Sequence, residues 1–204
     1  WKIDGSPLMG GYVEYQLPSW LLRLSYANIR FKNSLPIAED FYAIPAAKLP
    51  PAEVGPSLDY LETANTRSDY YSLGVVYDSG PWQVQFMLNH IEQGSKAFQS
   101  SSAGYVLAGY RVGSVTPYLG YSRVYSDRRG DAINWAVARV AADSRSAQGT
   151  VILGARWDVA RNIALKAQWD AVRGDPSSLF PYRREQSDWT GKLDVFSMTM
   201  DFVF

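Results

Sequence analysis

From Phe196 to Phe204 every second residue is large and apolar. Phe196, Met198, Met200, Phe202 and Phe204 alternate with Val195, Ser197, Thr199, Asp201 and Val203. Successive side chains of a strand point to opposite faces, so this segment predicts a two-sided strand, apolar on one face and mostly polar on the other. The same alternation recurs upstream. Met9, Gly11, Val13, Tyr15 and Leu17 alternate with Gly10, Tyr12, Glu14 and Gln16. After the short turn Pro18-Ser19, Trp20, Leu22, Leu24 and Tyr26 stand opposite Arg23, Ser25 and Ala27. Tyr71 to Tyr77 and Trp82 to Leu88 flank Asp78-Ser79-Gly80-Pro81, a strong turn signal. Gly104 to Val112 and Pro117 to Tyr121 flank Gly113-Ser114, although the second face of this pair (Tyr105, Leu107, Tyr118) is apolar as well. Val151 to Trp157 and Ile163 to Trp169 flank a turn over Asp158 to Asn162. With the terminal strand, this reading predicts nine strands.

Their connections alternate between very short and long. The segment from Arg30 to Asp69 carries Pro36, Pro45, Pro50, Pro51 and Pro56, and proline removes ladder donors, so it reads as loop. Gln93 to Ser101 and Arg173 to Lys192 are also long connections. So is the charged stretch that begins at Ser126, within which Asp131 to Asp143 predicts a short amphipathic helix. Aromatic residues of the apolar phase flank the short turns: Tyr15, Trp20, Tyr77, Trp82, Tyr110, Trp157, Phe202 and Phe204. Tyr26, Tyr71, Tyr121 and Trp169 stand at the other ends of the strands. Amphipathic rings concentrate at the level of lipid headgroups, so two bands at matched heights read as girdles.

Composition agrees with a sheet that has one lipid face. Aromatics make up 14% of the 204 residues, yet the mean hydropathy is only −0.21. No stretch approaches the roughly 18 consecutive apolar residues of a helical span, which excludes a helical membrane protein. A transmembrane strand pattern survives, because its polar face cancels the apolar one in any average. With 20 basic and 20 acidic residues, nothing favours nucleic acid as a partner. Cysteine is absent and there is a single histidine, so thiolate chemistry and metal-ligand clustering find no material here.

The terminal Phe204, the asymmetry of the connections and the two aromatic bands resemble the C-terminal half of a Gram-negative outer-membrane porin of the larger, roughly sixteen-strand kind. The resemblance covers nearly the whole chain. It implies an all-β, transmembrane, antiparallel up-and-down β-barrel with short periplasmic turns and long outer loops. It further implies passive diffusion of small hydrophilic solutes or ions, contact with outer-membrane lipid and lipopolysaccharide, a homotrimer, and neither enzymatic activity nor cofactor. Under that orientation Trp1 to Pro7 would lie outside the cell, whereas single-chain barrels have an even strand number and periplasmic termini. Residues 1–204 are therefore expected to form the C-terminal part of one larger barrel domain.

Glu14, Arg23, Arg156, Lys166, Asp170 and Asp201 occupy polar-phase positions within predicted strands. An arginine or lysine facing lipid near the midplane costs about 2–4 kcal/mol, so these six residues are the pore-lining candidates. Their mixed signs predict mutual salt bridges along the wall and weak charge preference. The single histidine, His90, shares phase with Phe86 and Leu88 and is expected to face lipid or the interface. An outer-membrane barrel enzyme using His90, of the protease or phospholipase type, is one alternative. A surface adhesin or receptor acting through the Arg30–Asp69 loop is another. Arg129-Gly130-Asp131 spells an adhesion tripeptide and reads as a solvated loop.

Overall fold

The computed structural model describes residues 5–35, 49–127, 130–143, 145–176 and 190–202. Phe204 and Trp1 lie outside the described residues, as does Arg129 of the tripeptide. Nine strands are present: β1 (Leu8–Gln16), β2 (Trp20–Arg30), β3 (Arg67–Ser79), β4 (Trp82–Gln93), β5 (Ser101–Tyr110), β6 (Val115–Ser126), β7 (Ala147–Ala160), β8 (Ile163–Gly174) and β9 (Lys192–Phe202). They form one sheet in strictly sequential order, each strand antiparallel to the next. Strands of this length suit a tilted passage through a bilayer, which takes roughly 9–11 residues.

Register carries the alternation from strand to strand. Glu14 pairs with Arg23, Arg23 with Gly74, Gly74 with Met87, Met87 with Tyr105, and Tyr105 with Ser122. The row continues through Thr150 and Val172 to Leu193. A slip of one residue anywhere would turn every later apolar side chain to the polar side, so the two-faced pattern fixes the register. The apolar face has no interior to pack against. On β9, Phe196, Met198 and Met200 remain 68%, 70% and 60% exposed, as expected of side chains that meet lipid rather than water or protein.

Tight turns close one end of the sheet. Leu17 and Trp20 exchange backbone hydrogen bonds across Pro18-Ser19, with N···O distances of 2.8 and 3.4 Å. Gly80 and Gly113 take φ of 55° and 60° in the next two turns, a left-handed conformation that a side chain disfavours. Several boundaries differ from the expected ones, among them β5, which ends at Tyr110 rather than Val112, and β6, which runs from Val115 to Ser126. β7 runs on to Ala160 through a register irregularity between Asp158 and Ala160, leaving Arg161-Asn162 as the turn. β3 starts at Arg67 because its ladder with β2 continues to the Arg30–Arg67 pair.

The long-loop end carries the only buried apolar cluster among the described residues. Two helices contribute, α1 (Pro51–Tyr60) and α2 (Trp135–Asp143). Helix α1 was not foreseen in the proline-rich connection. Pro51 at its start loses no helical hydrogen bond, because the first N–H groups of a helix have no internal partner. Leu49, Leu61, Ala97, Ala136, Val137 and Val140 pack together, joining the β2–β3, β4–β5 and β6–β7 connections into one cap. Asn134 ties it: its Oδ1 accepts from the N–H groups of Ala136 (3.2 Å) and Val137 (3.1 Å), capping α2. Its Nδ2 donates to Ser57 Oγ on α1 at 2.8 Å. The expected loop helix therefore exists, and loop-to-loop packing buries its apolar side.

Among the described residues the sheet does not close. β1 pairs only with β2 and β9 only with β8, so each presents a free edge.

Candidate functional site

The polar face is where charged groups gather. The register puts all six sequence-predicted lining residues on it: Glu14 on β1, Arg23 on β2, Arg156 on β7, Lys166 and Asp170 on β8, and Asp201 on β9. They fall into two groups at opposite sides of the sheet.

On the β1–β2 side, Glu14 and Arg23 face each other in register. The Arg23 guanidinium nevertheless lies over the Tyr12 ring, 3.8 Å from its centroid, and forms no salt bridge with Glu14. A planar, delocalised cation on a ring face keeps its charge available to solvent. On the β7–β9 side, Arg156 and Lys166 are register partners, which places two cations side by side. Like charges in that position repel. Arg156 is drawn away from Lys166, with Nε 2.8 Å from Asp158 and Nη1 3.7 Å from Asp201. Lys166 is left exposed and without an ion pair among the described residues. Asp170 accepts at both carboxylate oxygens from Gln168 Nε2, at 2.9 Å each. The wall is thus a mixture: Arg156 is paired along it, while Glu14, Arg23 and Lys166 are not paired with one another or with any other charge.

Sequence reasoning missed several members of this face. A concavity of about 470 Å³ is lined by Gln83, Gln85, Arg111, Tyr118, Arg156 and Lys166, among others. Arg111 lies just beyond β5 and donates to both Asp78 carboxylate oxygens (2.8 and 2.7 Å) and to the Gly80 carbonyl (2.9 Å). It holds a polar-phase position of the strand expected over Gly104 to Val112, yet it was not counted among the lining candidates. Tyr118 reads as apolar in sequence, yet its hydroxyl donates to Gln168 Oε1 at 3.0 Å. Its signal was present in the sequence: Gly154, the register partner of Tyr118, leaves the room the ring occupies.

The apolar face carries the aromatic bands. At the short-turn end, Trp20 and Tyr77 lie 4.6 Å apart between centroids, and Trp82 and Tyr110 4.9 Å apart in an edge-on arrangement. Tyr15, Trp157 and Phe202 stand on the same face at the same end. At the other end, Tyr26 and Tyr71 are 5.3 Å apart, and Tyr71 stacks on His90 at 6.4 Å. His90 Nδ1 lies 2.9 Å from Ser102 Oγ, a contact between register partners of β4 and β5. No group among the described residues orients the far ring nitrogen of His90. Neither a metal-holding cluster of His, Cys, Asp and Glu nor a helix long and apolar enough to cross a membrane occurs among the described residues.

A sequential antiparallel sheet with one lipid-type face, one polar face, tight turns at one end and long loops at the other defines the wall of an outer-membrane β-barrel. Known structures agree on the fold. The chain is similar to a loop-L8 deletion mutant of OmpT, an outer membrane protein of Vibrio cholerae, with a TM-score of 0.59 and 13% identity over 98% of this chain and 56% of that one. It is also similar to an anion-selective porin from Comamonas acidovorans, with a TM-score of 0.53 and 15% identity over 95% of this chain and 46% of that one. The chain thus spans about half the length of each structure. No protein-family model matches the sequence, and no curated protein sequence does.

The likeness to OmpT corrects one expectation. A chain without enzymatic activity was anticipated from the pore-like pattern, but at 13% identity the likeness extends to the fold alone and carries no exclusion of catalysis. With a histidine and a serine in hydrogen-bond contact on the outer face, that expectation is withdrawn.

Proposed function

We propose that the chain forms part of the wall of a porin-type, water-filled channel in the outer membrane of a Gram-negative bacterium, passing small hydrophilic solutes or ions by diffusion. One observation carries this reading: the polar face holds exposed charges that the fold leaves unneutralised, Arg23 and Lys166 above all. A sheet whose polar face was merely packed would bury or pair them. Residues 1–204 belong, on this reading, to one larger barrel domain. Strands from elsewhere would satisfy the free N–H and C=O groups of β1 and β9, each of which costs several kcal/mol in hydrocarbon. Glu14, Arg23, Arg156, Lys166, Asp170 and Asp201 line the channel, and Tyr15, Trp20, Tyr77, Trp82, Tyr110, Trp157 and Phe202 form the periplasmic girdle. The partners are outer-membrane lipid and lipopolysaccharide on the apolar face, and the proposed assembly is a homotrimer. Reconstitution of the complete protein in planar bilayers tests the proposal. Stepwise conductance is expected; a folded barrel that stays silent rejects it.

A second reading rests on the His90–Ser102 contact. A serine beside a histidine on the lipid-side surface is the starting arrangement for attack on an ester, with His90 as the base. Replacing Ser102 by Ala and following release of fatty acid from phosphatidylethanolamine vesicles tests it. Loss of a measurable wild-type rate supports this reading, and absence of any wild-type rate ends it.

A further inference from the structure

Gln85, Tyr118 and Lys166 each stand three residues into a strand that leaves a short turn, counted from Trp82, Val115 and Ile163. They therefore share one level of the polar face, and all three line the concavity of about 470 Å³. That volume is in the range of small-molecule sites.

The concavity is a trough across the wall, with a polar bank on each side. On β4, Gln85 is exposed and makes no hydrogen bond among the described residues, so its carboxamide offers both donors and an acceptor. Gln83 gives its Nε2 to Asp78 at 3.1 Å, which leaves its Oε1 as an acceptor. On β8, the exposed Lys166 ammonium supplies further donors. The floor between the banks lies on β5 and β6 and is apolar. Gly109 has no side chain there, a Cβ on it would come 3.2 Å from Thr116 Cγ2, and Leu107 lies alongside.

Charge and span narrow the occupant. Arg111 is paired with Asp78, and Arg156 with Asp158 and Asp201. With Lys166 added, the cations and carboxylates of this group balance, so an ion of either sign gains little net attraction from it. A neutral solute loses nothing by that balance and can use every open donor and acceptor. Gln85 and Lys166 are four strand spacings apart, roughly 19 Å along the wall, and their side chains reach into the gap from both banks. A disaccharide spans what remains, whereas a single hexose touches one bank only.

We propose that the trough is a binding subsite for a neutral, polyhydroxylated solute of disaccharide size. Its hydroxyls would bond to Gln83 and Gln85 at one end and to Lys166 at the other, and its C–H faces would rest on Leu107 and Thr116. The subsite rests on the channel reading for access to solute, which it deepens by naming a solute class; binding itself can be measured without conductance.

Lactose and its oxidised anion lactobionate are the probes, added to the complete protein in planar bilayers. Ion current should fall with lactose and saturate. Gln85→Ala should raise the half-saturating concentration about fivefold, the worth of one neutral hydrogen bond. Ser122→Ala, on the same face and outside the trough, should leave it unchanged. Saturation-transfer NMR of lactose with the barrel in micelles reads binding independently of current. A conducting barrel that gives no saturation and no transfer signal overturns the subsite and leaves the channel. A silent barrel with a lactose signal that Gln85→Ala weakens removes the channel and leaves the subsite. Tighter saturation by lactobionate than by lactose would mean an anion held by Lys166 and overturns the neutral class.

Discussion

The Tyr118 hydroxyl on β6 reaches over β7 to Gln168 on β8, donating to Oε1 at 3.0 Å. Gly154 lies between them in register and makes the crossing possible. A Cβ at Gly154 would come within 2.4 Å of the Tyr118 ring. Gln168 passes the interaction on to Asp170 through its amide nitrogen, at 2.9 Å. One row of the polar face is thereby locked across three strands.

Gly154→Ala should force the Tyr118 ring off the wall and break that row, whereas Tyr118→Phe should remove only the hydroxyl. The phenylalanine variant is expected to lose about 1 kcal/mol, the net worth of a hydrogen bond. The alanine variant should lose more, because strain is added to the same loss. Urea unfolding in lipid vesicles measures both, and an alanine variant as stable as wild type would show that the row is not a structural lock.

Lys166 carries the second prediction. Its neighbour Arg156 is neutralised by Asp158 and Asp201, so the charge Lys166 shows to the polar face is its own. Lys166→Glu should move the reversal potential in a salt gradient toward cation preference. Arg156→Gln should move it in the same direction but less, because it removes one positive charge where Lys166→Glu also adds a negative one. Equal shifts from the two variants would mean that the Asp158 and Asp201 carboxylates freed from Arg156 weigh on the solute as much as an added glutamate, and that Lys166 is not the dominant charge of this wall.

Much of this architecture was legible in the sequence because a transmembrane strand writes itself as period two, and β1, β2, β7, β8 and β9 keep that period cleanly. The face assignment of Glu14, Arg23, Lys166 and His90 followed from the same period. What was not legible depended on contacts between strands or between loops. Tyr118 looks like an apolar residue until Gly154 and Gln168 are placed beside it. Arg111 keeps the polar phase of the strand expected over Gly104 to Val112, but its pairing with Asp78 and Gly80 depends on the neighbouring β3–β4 turn. Helix α1 was hidden by prolines that break a strand but start a helix, and the cap around Leu61 and Val137 joins connections far apart in the chain. Nor does the alternation reveal that Arg23 prefers the Tyr12 ring to Glu14, since register brings all three close.

Acid should loosen the loop cap late. The Ser34 side chain, followed by the Ala64 N–H, donates to the Glu62 carboxylate and holds its pKa below the ordinary glutamate range; burial opposes this, and the Thr63 N–H adds least. A carboxyl with a depressed folded pKa stabilises fully above its unfolded value, near about 4.3. That stability is lost as pH falls through the lower folded value. Cap integrity, followed by limited proteolysis of the loops, should therefore persist through the ordinary glutamate range and decline only below it. Glu62→Gln should remove this acid-dependent step, and an unchanged acid profile in that variant would assign the step to another group.

Asn134→Ala should release the cap without unfolding the sheet. The substitution removes the acceptor for the Ala136 and Val137 N–H groups and the donor to Ser57 in a single change. Loss of a helix cap alone costs about 1 kcal/mol, and the buried Ser57 hydroxyl loses a partner as well. The strand ladders run from each strand to the next and include no residue of this cluster. Proteolysis between α2 and β7 should accelerate severalfold while the far-ultraviolet β signal stays unchanged. A parallel loss of both would mean that the cap and the barrel wall fold as one unit.

Trp82→Ala probes the short-turn band. The indole meets the Tyr110 ring edge-on at 4.9 Å, and such pairs contribute about 0.5–1.5 kcal/mol beyond the area they bury. In solvent, a half-exposed tryptophan at a turn would matter little. At a headgroup interface it also anchors the strand ends at their depth. Trp82→Ala should therefore destabilise the protein more in lipid vesicles than in a micelle that lacks a defined interface, whereas Trp82→Tyr should retain most of the difference. Equal losses in vesicles and micelles would reduce the band to simple ring packing and remove depth anchoring from the role of Trp82.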